Sequence, residues 1–185
     1  MAINIEEPNK KTSAATIATF EAQIGQILPR DYRQFLLKTN GGRPEGNQFN
    51  VPEADTDSGV EWFFGLLGAE KRGDLLYRHK AALDRVPQGI LPIGDDPCGN
   101  MICLSLRPDT AGEVFFWDHE LEADEGEPAT FANLFKVGDS FQEFLDSLRP
   151  FSPDDVKLKP GDVGGVWIHP DFDKLVKKAK EEEGE

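Results

Sequence analysis

Apolar positions recur along the chain in two rhythms, and each marks a different kind of element. Met101 to Leu106 and Glu113 to Trp117 are almost continuously apolar, the pattern of strands covered on both faces. Between them Arg107 to Gly112, RPDTAG, supplies turn chemistry from Pro, Asp and Gly. The pair predicts an antiparallel hairpin in the middle of a sheet. An acidic, glycine-bearing loop leads in from Leu91, an acidic loop leads out to Glu120, and the rest of the chain is expected to pack around this stretch.

The second rhythm is helical. Thr12 or Ser13 can cap a first helix with Ile17, Phe20, Ile24 and Ile27 on one stripe. Leu28 and Pro29 break it and begin another, in which Tyr32, Phe35 and Leu36 form the buried face and Gly41 and Gly42 mark the end. Asp74 to Asp84 carries Leu75, Leu76, His79 and Leu83 along one side, and Pro87 and Gly89 stop it. In the clearest helix Ser140 and Glu143 form a capping box, with Phe141, Phe144, Leu145 and Leu148 on one face. Short strands are expected at Gln48 to Val51, at Glu61 to Leu66 with a bulge at Gly65, and around Phe131 to Val137. The fold class is therefore α+β. Residues 1–150 are expected to form one domain with a central, mainly antiparallel sheet, and 151–185 an extension, packed on the domain or partly frayed, with a short amphipathic helix expected at Asp171 to Glu183 and Trp167 as its anchor.

Composition narrows the function classes. A chain of 185 residues suits one compact domain, and thirteen Phe and three Trp support an aromatic core. Neither a signal peptide nor a membrane span can be read in it, so a cytoplasmic protein is expected. Cys98 and Cys103 should be reduced and unbridged, about 16 Å apart on opposite strand faces. Net charge is −14, and the part before Asp171 carries −12 of it, which disfavours nucleic acid as a partner. Two stretches hold the acids: Glu53, Asp55, Asp57 and Glu61 in the first, and Asp118 to Glu127, with six acids and no Lys or Arg, in the second.

Four segments in order, LPRDYRQFLLKTNGG, ILPIGDDPCGNMICLSL, EVFFWDHE and VGDSFQEFLDSL, resemble the SUKH superfamily, which includes the fungal Smi/Knr cell-wall synthesis regulators. They span Ile24 to Leu148, about two-thirds of the chain. Leu28, Pro29, Tyr32, Phe35 and Leu36 match the family's first helix, and Asn40, Gly41 and Gly42 match its end. Ile93, Gly94, Gly99 and Asn100 match the loop before the central strand, although the family more often has an acid where Asn100 stands. Trp117, Asp118, His119 and Glu120 match the end of the next strand, and Ser140, Phe141, Phe144 and Leu145 match the last helix. The resemblance implies an α+β domain that works by binding: bacterial members are regarded as immunity proteins against toxins, fungal ones as regulators. No catalytic residue set comes with it.

The residues themselves offer one other constellation. Asp95, Asp96, Asp118, His119 and Glu120 could gather around a divalent ion, yet the spacing is not that of a calcium loop and acids at strand ends are usually solvated turns, so no metal or cofactor is assigned. GDDPCGN lacks the Lys and Ser or Thr of a phosphate loop. The reading is a non-enzymatic immunity protein that masks a basic toxin surface, as a monomer or weak dimer, through Asp55, Asp57, Asp95, Asp96, Asp118, Glu120, Asp124 and Glu125. The alternatives are a metal-dependent hydrolase built on Asp95, Asp96, Asp118 and His119, or a signalling adaptor.

Overall fold

The computed structural model describes residues 4–68, 73–124 and 126–152. The chain divides into Met1–Phe151 and Ser152–Glu185. Beyond Ser152 the second unit lies outside the described residues, and with it the readings of Trp167 and the Asp171 to Glu183 helix.

In chain order the elements are β1 (Ile5–Pro8), α1 (Ala14–Ile24), α2 (Arg30–Thr39), β2 (Gly42–Pro44), β3 (Gln48–Val51), β4 (Thr56–Gly59), β5 (Trp62–Phe63), α3 (Leu75–Ala81), β6 (Ile90–Asp95), β7 (Met101–Ser105), β8 (Val114–Trp117), β9 (Leu134–Gly138) and α4 (Phe141–Ser147). Seven strands form one antiparallel sheet in the order β1-β2-β5-β6-β7-β8-β9, and β3 and β4 form a separate hairpin. The architecture is α+β, as the two rhythms required.

The apolar hairpin sits inside the sheet because its side chains serve two cores. Ile102, Leu104, Val114 and Phe116 point into the main core, while Met101, Cys103 and Trp117 point to a smaller one with Ala82, Val86, Ile90 and Leu134. Alternation along each strand divides a continuous apolar run between two faces. The main core is aromatic: Phe141 meets Tyr32, Phe35 and Phe63 edge-on with centroids 4.8, 5.0 and 5.9 Å away, and Phe144 meets Phe49 at 5.2 Å. α2 and α4 are thus locked to the sheet and to each other.

The stretch expected as a loop leading into this hairpin contains a strand instead. Ile90–Asp95 pairs with β7 along its length, and the register shifts between Pro92 and Gly94. A proline cannot donate to a ladder, and an irregularity beside it lets the strand stay internal. Gly94 is needed because a Cβ there would stand 2.8 Å from the Trp62 carbonyl oxygen.

Helix ends explain two further corrections. α1 begins at Ser13, whose hydroxyl accepts from Thr16 N–H, and stops at Gly25, so Ile27 lies past the helix and is exposed. α3 begins at Asp74 and ends at Ala81, which leaves Leu83 exposed rather than buried. α2 ends on Asn40 in the left-handed region, not on the glycines that follow. The Asn40 side chain accepts from Leu66 N–H and donates to the Lys10 and Leu66 carbonyls. Gly65 is no strand bulge; it is where the chain crosses closest to Asn40, whose carbonyl oxygen a Cβ would overlap.

Candidate binding surface

The five-residue loop between β6 and β7 is shaped by Asp96, which is buried. Its Oδ1 accepts from the backbone N–H of Cys98 and Asn100, both at 2.8 Å, and its Oδ2 accepts from Asn100 Nδ2 at 2.8 Å and Ser58 Oγ at 3.1 Å. Asn100 has its amide nitrogen committed to Asp96, so its oxygen accepts from His119 N–H at 3.0 Å and from Nδ1 at 2.7 Å. His119 Nδ1 therefore carries a proton. These bonds join the β4 end, the β6–β7 loop and the loop after β8 into one frame.

That frame supports the acidic stretch. Asp118 caps a short turn, His119–Leu121, by accepting from Glu120 N–H at 2.9 Å, and Asn133, just before β9, secures it by donating to the Asp118 carbonyl. Beyond it Glu120, Asp124 and Glu127 are exposed, and Glu125 lies outside the described residues. Glu122 is different: Arg85 reaches from beyond α3 and grips both its oxygens at 2.8 and 2.7 Å, while the guanidinium lies 4.9 Å over the Trp117 ring. The hydrogen bonds from Arg85 hold the Glu122 carboxyl below the usual carboxylate range and push the Arg85 value up.

On α3 itself, seven residues earlier, Arg78 repeats the arrangement. It bonds Asp95 Oδ2 at 2.6 Å and lies 4.5 Å over Phe64. Asp95 is accordingly paired within the protein. Asp57 stands on β4 with Arg149 3.7 Å away, and Asp55 ends the Pro52–Ala54 turn at the hairpin tip, exposed and in the left-handed region.

The structure thus gathers Asp95, Asp96, Asp118 and Glu120 at one end of the sheet, with Asp124 further along the same loop, and leaves Asp55 and Asp57 on a separate hairpin. Arg78, Arg85 and Glu122 belong to this face and were not singled out in the sequence. The two arginines stand seven residues apart, but nothing local pairs them with acids 17 and 37 residues away.

The metal reading fares less well. Both Asp96 oxygens and His119 Nδ1 are spent on the frame, and among the described residues no three His, Cys, Asp or Glu side chains are grouped to hold an ion. The cysteines are free, Cys98 exposed and Cys103 buried, and burial pushes the Cys103 thiol well up. His79 is half-buried; burial first, and then Lys80, push its value down. No helix among the described residues is long and apolar enough to cross a membrane.

Comparison with known proteins agrees with this architecture. Residues 11–147 match the model of the SMI1 / KNR4 family (SUKH-1). The chain is also similar to the SPbeta prophage-derived uncharacterized protein YokK of Bacillus subtilis (strain 168), at 28% identity over 172 residues, covering 84% of this chain and 82% of that protein.

Proposed function

Because the chain belongs to the SMI1/KNR4 (SUKH-1) family, we propose that it is a non-enzymatic protein-binding domain, an immunity protein that neutralises a cognate toxin by covering a basic surface with its acidic rim. Family membership supports an immunity-type or regulatory domain. The observation that carries the finer reading is the 118–127 loop. Its Glu120, Asp124 and Glu127 are held out to solvent from a hydrogen-bonded base, with no Lys or Arg in the stretch to neutralise them. Such a rim raises the encounter rate with a positive partner, and buried anchors then hold the complex.

Asp95 and Asp96 contribute by placing the rim rather than by meeting the partner first. Asp55 and Asp57 offer a second negative surface on the β3–β4 hairpin. The protein acts in the cytoplasm, as a monomer or weak dimer. The test is to purify the protein encoded beside this chain and to measure association at several salt concentrations. The variant to compare carries Asp118→Asn, Glu120→Gln, Asp124→Asn and Glu127→Gln. Slower association and a flatter salt dependence are expected; an unchanged on-rate with a partner that does bind overturns the reading. A pull-down returning several unrelated partners would favour a signalling adaptor.

A further inference from the structure

The chain reverses directly after α3, and the reversal is a wall shared by two clefts. The Ala82 carbonyl accepts from the N–H groups of Arg85 and Val86, both at 3.0 Å, and Ala82 and Val86 are buried. The turn is thereby fixed to the smaller core, while Leu83 and Asp84 stand exposed at its tip. One cleft, of about 230 Å³, is lined by Leu83, Val86, Ile90, Leu91, Leu106 and the half-buried His79. Its walls are chiefly apolar, and Leu83 among them is 58% exposed.

The second cleft, of about 350 Å³, reaches the acidic loop and is lined by Asp84, Asp124 and Glu127 together with Arg85 and Glu122. Arg85 brings no open cation to it, because its guanidinium is spent on both Glu122 oxygens. Asp84, Asp124 and Glu127 differ from Glu122: among the described residues no hydrogen bond or ion pair engages their carboxylates. A single exposed leucine is ordinary. This one adjoins concave apolar surface and open carboxylates on one fixed turn, a combination complementary to an apolar side chain with a basic neighbour. Burial of the first holds a complex together, and attraction of the second orients it.

We propose that the 82–86 turn is the point at which the basic protein partner docks, seating a large apolar side chain in the Leu83 cleft and an adjacent basic side chain among Asp84, Asp124 and Glu127. This rests on the acidic-rim reading and deepens it by naming the two kinds of side chain that the partner brings. The probe is N-acetyl-phenylalanyl-arginine amide, titrated at fixed pH into the full chain while the His79 imidazole C–H resonances are followed by NMR; His79→Gln assigns them. A saturable shift is expected, and a weaker one with N-acetyl-glycyl-arginine amide and with N-acetyl-phenylalanyl-glutamine amide. Leu83→Ser and Asp84→Asn alter exposed side chains and should fold as the parent does. Each should weaken the response by about 2- to 5-fold. An unmoved His79, an equal response to either control amide, or an undiminished response in either variant would overturn the proposal. The two readings fail separately. If the rim variant slows the partner while Leu83→Ser and Asp84→Asn leave its binding unchanged, the turn is not the docking point and the rim stands; if the dipeptide binds as expected while the rim variant leaves the on-rate unchanged, the rim reading is the one that fails.

Discussion

Asp96 and Asn100 work as a pair because one accepts and the other both donates and accepts. A carboxylate at position 100 could not donate to Asp96, which is the physical reason an amide suits this position. Asp96→Ala leaves two backbone N–H groups and the Asn100 amide without their acceptor. A loss of about 2–4 kcal/mol in denaturant unfolding is expected, with the β6–β7 loop the first region to lose exchange protection. Arg85 and Glu122 give a pH signature. The folded Glu122 value lies below its unfolded value of about 4.3, so the contribution of the pair is full above about pH 5 and is lost as pH falls through the folded value. Arg85→Gln should therefore be less stable than the parent by under about 1 kcal/mol at pH 7, since Arg85 is half-exposed, and the gap should close as pH falls through the folded Glu122 value. Thermal melts across that range read it directly; a gap that widens on acidification would contradict the assignment. At this scale the sequence showed which residues were polar, and could not show that Asp96 is turned inward while Glu120 is not.

The elements divide by how much of their definition is local. α1 and α4 were legible because each is capped by its own neighbours: Ser13 and Ser140 accept from the N–H three residues on, and Glu143 reaches back to Asp139 N–H. β6 was not, because Pro92 and Gly94 read as loop residues until a partner strand supplies the irregular pairing that tolerates them. β1, β2 and β4 are short and largely polar, and exist because the sheet and the β3 hairpin offer them partners. Two glycines separate local from tertiary demand. Gly25→Ala meets open space and only the strain of φ +68°, so it should cost about 1 kcal/mol. Gly65→Ala would drive a methyl into the Asn40 carbonyl and should cost more than about 3 kcal/mol, or yield no folded protein. Comparable melting temperatures for the two variants would refute this view of the crossing.

For the whole molecule, a charge of −14 acts at a distance on anything basic that approaches, and the effect is screened over about 8–10 Å at ordinary salt. The rim variant should therefore lose most of its association-rate advantage at low ionic strength, by roughly tenfold, and differ little from the parent near 1 M salt; stopped-flow mixing with the partner measures both limits. Charge and its concentration at 118–127 needed only the sequence. So did the two-sided burial of β7 and β8, the aromatic core and the helix caps, since each depends on residue type and on spacing within a few positions. Tertiary structure alone decided which acids remain available, because Asp95 and Glu122 are taken by arginines 17 and 37 residues away and Asp96 by Ser58, 38 residues away. Pairings over such separations are set by the register of the sheet, and no local pattern encodes that register.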